Sequence, residues 1–445
     1  MTDSDIASLA ATEMAAGCAQ GAFSAEDLTQ ACLDRIAALD GDIGAFTYVD
    51  ADFALSQARS LDEQRAAGKP LGPLHGVPVG IKDIIDTKDM PTACGSPVLA
   101  GRLPMKDATV VTKLRAAGAV ILGKTVTTEF AYFSPGKTRN PHDLERTPGG
   151  SSSGSAAAVA AGLVPVALGS QTNGSMIRPA SFCGVFGMKP SHGLISRAGV
   201  LNLSKTLDHV GIFSRSLDDA ALMLEVLAGY DAEDSATRPL SAAQYRAVLA
   251  QEWPLTPRFG FARTPVWDKA EPATQTAFEE LAAELGDACV PLDLPDYYSG
   301  AWDAQRIIMA VEMAHNLGRV ADKGAAAVSQ VFHDLVAAGR KETAQTYLQA
   351  LDARRTYADA LADMFSECNV ILTPAARGAA PKGLTATGDP VFCSLWTLTG
   401  LPSITLPLLS DDDGMPVGVQ LVGAPGDDAR LLRTAAWLVE RLSEG

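Results

Sequence analysis

The chain has 445 residues, of which 47% are hydrophobic, 20% charged and 6% aromatic. That apolar content suffices for a large core and excludes an intrinsically disordered chain. Lys and Arg number 36 and Asp and Glu 52, which gives a net charge of −16. Such a charge repels phosphate backbones and anionic lipids, and no run of basic residues offsets it. We therefore expect neither a nucleic-acid partner nor a membrane partner.

The cysteines and the N-terminal segment indicate the compartment. There are seven cysteines, an odd number, and no Cys-x-x-Cys pair, which argues against a disulfide framework and a zinc site. The first twenty residues are acidic and lack the basic segment of a secretory signal. No run of 18 apolar residues could span a bilayer. We expect a cytoplasmic protein without a bound metal.

The first half of the chain predicts helices alternating with strands. Ser24 is a predicted N-cap with Asp27 at the third helical position, and Leu28, Cys32 and Ile36 then repeat as a helical face. The elements predicted after this helix are a strand at 45–49, a helix at 51–67, a strand at 77–82, a helix near 108–117, a strand at 120–122, an Ala-rich helix at 155–161 and a strand at 164–168.

The second half continues in the same way. Helices are predicted over 271–285, in three segments between 302 and 365, and over 429–442, and strands over 370–372, 403–406 and 417–422. Strands that alternate with helices indicate an α/β protein with a large, mostly parallel sheet covered by helices. Because neither an internal repeat nor a convincing linker interrupts the pattern, we predict one domain over 1–445.

One stretch, 147–177, departs from the average because its 31 residues include no ionisable side chain. A flexible Gly/Ser linker would not lead into an Ala/Val helix, and a transmembrane helix would not tolerate Pro165 among so many glycines and serines. The stretch is therefore predicted to be buried core. A buried hydroxyl without a partner costs about 1–3 kcal/mol, which favours a hydroxyl-rich active site over caps and turns alone. The polar side chains concerned are Ser151, Ser152, Ser153, Ser155, Ser170, Thr172, Asn173 and Ser175.

Two kinds of base could activate a serine here. The Gly-x-Ser-x-Gly match centred on Ser152 would belong to a histidine-dependent triad, but no apolar strand precedes it, as a nucleophile elbow requires. The other base is Lys82, which ends the apolar run 77–81, and burial would lower its pKa and leave a neutral amine. The alternative is a strand-end lysine paired with Asp83 or Asp86.

Three ordered motifs resemble the amidase signature family. They are GIKDIID around Lys82, GGSSSGSAAAVAAG around Ser151 and GSQTNGSMIRPASFCGVFGMKPSHG around Ser175, separated by 69 and 24 residues. The resemblance implies the amidase signature fold, a mixed and mostly parallel twisted sheet with helices on both faces. Within the domain it implies a signature core at about 65–215, a helical, substrate-shaping segment at about 230–365, and C-terminal strands and a helix at 366–445.

The resemblance also implies the site and its chemistry. In the family's Ser-cisSer-Lys triad, Ser175 matches the nucleophile, Ser151 the bridging serine that follows a cis peptide bond, and Lys82 the base. An amide would be hydrolysed to an acid and ammonia or an amine through a serine acyl-enzyme, with no cofactor and no metal. The oxyanion would be held by the backbone N–H groups of Thr172, Asn173, Gly174 and Ser175.

The chain departs from the family pattern at two positions. Asn173 replaces the first of two glycines before the nucleophile, and asparagine tolerates left-handed backbone better than other non-glycine residues. Arg178 lies three residues after Ser175 rather than two, a register that, with TGDP and SLWTLTG in 387–400, is similar to malonamidase-type enzymes. There the matching arginine binds a substrate carboxylate, and the alternative is an arginine paired with a buried structural acid.

These observations lead to one main function and three alternatives. We expect hydrolysis of a small carboxylic amide, with the amide as small-molecule partner and a homodimer as candidate assembly. The first alternative is the glutaminase subunit of a tRNA-dependent amidotransferase complex. The second is a binding protein on a retained amidase fold. The third is a cysteine amidase using Cys183, which we expect instead to be a buried thiol in a packing strand.

Overall fold

The computed structural model describes residues 6–239, 244–324 and 326–443. Its centre is one sheet of eleven strands in the order β1-β3-β2-β4-β6-β5-β10-β11-β9-β7-β8. The strands are β1 Phe46–Val49, β2 Pro78–Lys82, β3 Val120–Thr125, β4 Val166–Gln171, β5 Phe186–Lys189, β6 His209–Ser214, β7 Phe259–Ala262, β8 Cys289–Leu292, β9 Val370–Pro374, β10 Ser403–Ser410 and β11 Pro416–Gly423.

Fourteen α-helices with described bounds connect and cover these strands. They are α1 Ala11–Gln20, α2 Ala25–Ile43, α3 Ala51–Ala66, α4 Thr109–Ala116, α5 Ser153–Ala160, α6 Ile177–Cys183, α7 Leu217–Leu227, α8 Tyr245–Leu249, α9 Pro272–Leu285, α10 Ala301–Lys323, α11 Gln330–Lys341, α12 Ala344–Met364, α13 Ser394–Leu398 and α14 Asp428–Ser443. None of the described helices is long and apolar enough to cross a membrane.

The start of α2 shows how local sequence sets an element. The N–H of Asp27 donates to the Ser24 hydroxyl (3.0 Å), and the N–H of Ser24 donates to the Asp27 carboxylate (2.9 Å). These two bonds satisfy two backbone donors that the first turn of a helix leaves unpaired. The predicted capping box is confirmed, with Asp in the place usually taken by Glu or Gln.

The mixed α/β sheet is confirmed, but the prediction that it is mostly parallel is wrong. Four of its ten pairings are parallel, namely β2–β3, β2–β4, β7–β8 and β7–β9, and the other six are antiparallel. Strands β4 and β5, joined through α6, run in the same direction, as a strand–helix–strand unit should. However, β6 lies between them and is antiparallel to both.

The predicted helices and strands are confirmed with small shifts of their ends, and four strands were missed. β5, β7 and β8 have only four residues each, too few for a period-two pattern to stand out, and β6 has six. Two of the missed strands, β7 and β8, lie in the segment 230–365 that we expected to be helical. Cys183 is the last residue of α6 and not part of a strand. The single domain over 1–445 and its three segments stay a prediction.

The sheet brings the three motifs to one place. β2 and β4 are neighbouring parallel strands, so their last residues, Lys82 and Gln171, lie at the same sheet edge, where α/β proteins commonly bind ligands. Helix α5 begins beside them, close against β3, because its second residue is Gly154. A Cβ at that position would lie 2.2 Å from the Ala45 carbonyl oxygen and 2.3 Å from the Val126 nitrogen.

Candidate active site

Lys82 is fully buried at the end of β2 and surrounded by hydroxyl groups. Its Nζ lies 2.8 Å from Ser151 Oγ, 2.9 Å from Ser152 Oγ and 2.8 Å from Ser170 Oγ. Burial holds its pKa well below the usual value of 10.5, while the more distant Asp208 and Cys94 act in the opposite direction. Lys82 does not form the alternative ion pair with Asp83 or Asp86.

Those two acids have other partners. The Asp83 carboxylate accepts from the N–H groups of Ala93 and Gly95 (3.2 and 3.4 Å), and Asp86 forms a bidentate pair with Arg102 (2.8 Å for both bonds). Lys82 therefore has only hydroxyl oxygens as hydrogen-bond partners within the described part of the chain.

The contacts of Lys82 limit which hydroxyl can donate to it. A neutral amine has two N–H donors and one lone pair, so one of its three hydroxyl neighbours must donate to nitrogen. The Ser152 hydroxyl is already used, because it donates to the Ser170 carbonyl oxygen (3.1 Å). The hydroxyl of Ser151 or of Ser170 must therefore donate a hydrogen bond to the lone pair of Lys82 Nζ. Ser152, the centre of the Gly-x-Ser-x-Gly match, thus contacts Lys82 and not a histidine.

The serine-rich segment enters the site through an unusual backbone step. The peptide bond between Gly150 and Ser151 is cis, as the family resemblance implies. The Ser151 carbonyl oxygen accepts from the N–H of Thr128 (3.2 Å), and α5 begins two residues later at Ser153. Every residue of 147–177 is buried except Ala160, Ala161 and Asn173, so the prediction of a buried core rather than a linker is confirmed.

Ser175 lies in a tight segment between β4 and α6. The Gln171 side-chain oxygen accepts from the N–H groups of Met176 (2.7 Å) and Ile177 (3.1 Å), which caps the start of α6. The Ser175 hydroxyl forms no hydrogen bond with another described residue. Nor do the backbone N–H groups of Asn173, Gly174 and Ser175 donate to any acceptor in 6–239, 244–324 or 326–443. They are available to a ligand.

Glycine is required at position 174 for packing. A Cβ there would lie 2.7 Å from Pro390 Cβ and 3.2 Å from Cys393 Cβ, so any larger residue would push away the chain at 390–393. Asn173 is not in left-handed backbone, since the described non-glycine residues with positive φ are Cys94, Phe130 and Ala131. The tolerance of asparagine for that geometry is therefore not what permits it here.

A small cavity is lined by Ser151, by Ser175 and by Arg178, the arginine three residues after Ser175. Its volume is about 20 Å³, which holds about one water molecule. Six of the residues that line it are Ser151, Asn173, Ser175, Arg178, Met309 and Pro390. Ser151 and Ser175 thus share one cavity with a guanidinium group.

Arg178 is buried and incompletely paired. Its Nη2 donates to the Gly150 carbonyl oxygen (2.6 Å) and to Thr387 Oγ1 (3.2 Å), whereas Nε and Nη1 have no partner among the described residues. Within that part of the chain no carboxylate lies within 4.0 Å of it, although Asp389 acts on it from farther away. Burial lowers its pKa to about 10. A structural acid paired with Arg178 is therefore absent from the described residues.

Sequence reasoning missed one acid that supports the site. The buried Asp208 accepts from Thr172 Oγ1 (2.6 Å) and from the N–H groups of Leu203 and Ser204 (2.9 Å each), and burial raises its pKa to about 6. It directly precedes β6, and an acid next to an apolar run was the available signal. Because β6 itself was not predicted, its position beside the nucleophile segment could not be inferred.

The remaining candidate nucleophile is not activated. The Cys183 thiol is buried and donates to the Pro148 carbonyl oxygen (3.4 Å), and burial raises its pKa. A thiol whose pKa is raised supplies little thiolate near neutral pH. The interpretation of Cys183 as a packed core thiol agrees with this environment.

Comparisons with known proteins cover nearly the whole chain. A family model described as Amidase matches residues 27–432. A glutamyl-tRNA(Gln) amidotransferase subunit from Anaeromyxobacter sp. (strain K) is 38% identical over 483 residues, which is 98% of this chain and 97% of that protein. The peptide amidase of Stenotrophomonas maltophilia superposes with a TM-score of 0.87 at 32% identity, covering 98% of this chain and 97% of that chain. A chain from a vestigial protein complex, linked to the evolutionary origins of an s-triazine catabolic enzyme, has a TM-score of 0.91 at 32% identity, covering 97% and 98%.

Proposed function

Because the chain belongs to the Amidase family and is an amidase, we propose that it hydrolyses a small amide that carries a carboxylate, through an acyl-enzyme on Ser175. The family membership confirms the resemblance inferred from the three motifs. One observation carries the proposed mechanism. Lys82 is a fully buried lysine whose hydrogen-bond partners in the described chain are three serine hydroxyls.

In the acylation step, Ser175 Oγ attacks the amide carbonyl carbon. The Ser175 proton passes to Ser151 Oγ while the Ser151 proton passes to the lone pair of Lys82 Nζ. Backbone N–H groups of Thr172, Asn173, Gly174 and Ser175 stabilise the negative charge that develops on the carbonyl oxygen. The C–N bond then breaks as the proton returns from Lys82 through Ser151 to the leaving nitrogen. The products are an ester on Ser175 and ammonia or an amine.

Deacylation reuses the same groups with water as nucleophile. Lys82, acting through Ser151, accepts a proton from water as the water oxygen attacks the ester carbon. The Ser175 oxygen then leaves and regains its proton by the reverse relay. The acid is released and the three side chains return to their starting protonation states.

Arg178 supports the choice of a substrate with a carboxylate. Two of its guanidinium nitrogens lack partners, it lines the same cavity as Ser175, and it has no carboxylate partner in the described residues. A carboxylate would accept a hydrogen bond from one of these free donors and would supply the missing countercharge. The expectation is a monoamide in which the carboxylate and the amide are a few bonds apart.

The glutaminase subunit of a tRNA-dependent amidotransferase complex is the second candidate. The relatives favour it over a stand-alone hydrolase, since a protein 38% identical over 98% of this chain bears the name of such an amidotransferase component. Glutamine is itself a small amide with a carboxylate, so Arg178 is compatible with both candidates. The three-residue spacing of Arg178 from Ser175 favours the stand-alone hydrolase.

The nucleophile can be identified by covalent labelling. After treatment with phenylmethylsulfonyl fluoride, we expect intact-mass analysis to show one adduct and peptide mapping to place it on Ser175. The adduct should be lost in Lys82→Ala, because Ser175 then lacks its base, and retained in the control Lys124→Ala. An adduct on another residue would contradict the assignment of Ser175.

The two candidate functions differ in what the isolated chain can do. A stand-alone hydrolase turns over carboxylate-bearing monoamides by itself, and a panel of such amides with matched uncharged amides measures this directly. A glutaminase subunit requires its complex, so glutamine turnover should appear only after reconstitution with partner subunits. In both cases Arg178→Met should lower kcat/KM for the charged amide by about 10²-fold and change the uncharged amide much less.

A further inference from the structure

Asn173 is the one polar residue of the buried stretch 147–177 that is not buried itself. It lies two residues before Ser175 and lines the same small cavity as Ser175 and Arg178. Its side chain therefore forms part of the wall of the cavity that contains the nucleophile. The family pattern has glycine at this position, so the occupied volume is a feature of this chain.

The Asn173 side chain is held from two directions. Its Oδ1 accepts from the Ser394 hydroxyl at the start of α13 (2.7 Å), and its Nδ2 donates to Gln305 Oε1 on α10 (3.3 Å). Gln305 is itself fixed, because its Nε2 donates to the Thr172 carbonyl oxygen (3.2 Å). An asparagine with both ends of its amide engaged cannot rotate away without breaking a hydrogen bond.

The backbone at Asn173 is fixed as well. Its carbonyl oxygen accepts from Thr397 Oγ1 (2.5 Å), and Thr397 also accepts from the Gln171 side chain (2.8 Å). The side chain therefore cannot yield by a shift of its own backbone. Asn173 is part of the wall of the cavity that contains Ser175, so a fixed side chain at this position limits which acyl groups can enter.

We infer that Asn173, clamped by Ser394 and Gln305, is a specificity-determining residue that restricts the amidase to short acyl groups. The inference rests on the proposed function and adds a size limit to it. A rigid wall discriminates by excluding the larger substrate, and one or two methylenes in a tight site are worth about 10- to 200-fold in kcat/KM.

The test compares two substrates that differ only in length, the monoamide of a three-carbon diacid and that of a six-carbon diacid. We expect Asn173→Gly to lower the ratio of kcat/KM for the short over the long amide by at least about tenfold. The change should come mainly from a lower KM for the long amide. A merely structural role would lower both rates together and leave the ratio unchanged.

A second variant guards against a folding failure. Ser394→Ala removes the bond to Asn173 Oδ1 and keeps the backbone, so the ratio should fall in the same direction by about threefold. Asn369→Ala is the matched control, because Asn369 accepts from the Arg258 N–H and does not line the cavity. It should leave the ratio as in the wild type.

The outcomes separate this inference from the proposed function. If the wild type hydrolyses neither amide, alone or with partner subunits, the proposed function fails. If the wild type is active and the ratio stays within twofold in both Asn173→Gly and Ser394→Ala, the specificity role of Asn173 is overturned and the proposed function stands.

Discussion

Two buried lysines at the ends of neighbouring parallel strands have different hydrogen-bond partners. Lys82 is the last residue of β2 and Lys124 the second-last of β3, and both are fully buried. Nζ of Lys82 contacts three serine hydroxyls. Nζ of Lys124 instead donates to the Ile85 carbonyl oxygen (2.5 Å) and to the hydroxyls of Thr87 (3.2 Å) and Thr92 (2.8 Å).

The difference teaches that burial alone does not make a lysine a base. Burial lowers the pKa of Lys124 to about 8, and that of Lys189 at the end of β5 to about 7. Lys189 nevertheless donates to the carbonyl oxygens of Leu401 and Pro190, which cannot carry a proton onward. A catalytic lysine needs a neighbour that can both give and receive a proton, and a hydroxyl next to a second reactive group satisfies that condition.

Replacement of each lysine by methionine is the strongest way to test the contrast. We expect Lys82→Met to lower kcat for amide hydrolysis by about 10³- to 10⁴-fold, because the base that contacts Ser151 is lost. Lys124→Met should change kcat by no more than a few-fold, since Lys124 contacts neither Ser151 nor Ser175. Steady-state rates at one substrate concentration above KM suffice for the comparison.

Folding has to be controlled in this pair. Circular dichroism and thermal unfolding should show both variants folded, because methionine fills a similar volume at each site. Equal loss of activity in two folded variants would contradict the separation of a catalytic from a structural lysine.

Sequence reasoning reached one of these two lysines. The runs VPVGIK and VILGK are both apolar and end in a lysine, but a buried amine was predicted only for Lys82. The two lysines differ in the segment that contacts the amine. Residues 151–152 contact Lys82, and residues of the segment 85–92 contact Lys124. Which loop covers which strand depends on the strand order of the whole sheet, and local pattern does not contain it.

For the rest of the site, too, local motifs could be predicted from the sequence and contacts between distant segments could not. Ser151, Ser175 and Arg178 could be proposed because their motifs are continuous in sequence and lie at element ends. The contacts of Asn173 with Gln305 and Ser394 join residues 132 and 221 positions apart. Only the packing of α10 and α13 against the nucleophile segment brings them together, so no spacing rule could have found them.

The contribution of Lys124 to the free energy of unfolding should depend on pH in a way that marks the residue as structural. Its pKa is lowered from about 10.5 in the unfolded chain to about 8 in the folded one, through burial and against the nearby Asp83 and Asp86. Between these values the unfolded state binds the extra proton, so the free energy of unfolding rises with pH. Relative to Lys124→Met, the wild type should gain about 3 kcal/mol between pH 8 and 10.5.

Urea unfolding of both proteins at several pH values measures this difference, and other titrating groups cancel in the subtraction. A flat difference across that range would mean that Lys124 keeps its proton in the folded protein. Lys124 and Lys82 would then differ in protonation state as well as in hydrogen-bond partners.

The smallest expected effect concerns the hydroxyl next to Lys82 that is not part of the relay. Ser170 Oγ lies 2.8 Å from Nζ, and Ser170→Ala removes an acceptor that stabilises the protonated amine. The pKa of Lys82 should fall, so the acidic limb of the pH–rate profile should move to lower pH by somewhat less than one unit, with kcat reduced about tenfold or less. Ser155→Ala is the matched control, because Ser155 donates to the Leu168 carbonyl oxygen (2.8 Å) and does not contact Lys82. If the acidic limb of the pH–rate profile moves equally in both variants, or moves to higher pH in Ser170→Ala, Ser170 does not act through Lys82. A downward shift confined to Ser170→Ala would mean that the hydroxyl shell, and not burial alone, sets the proton affinity of the base.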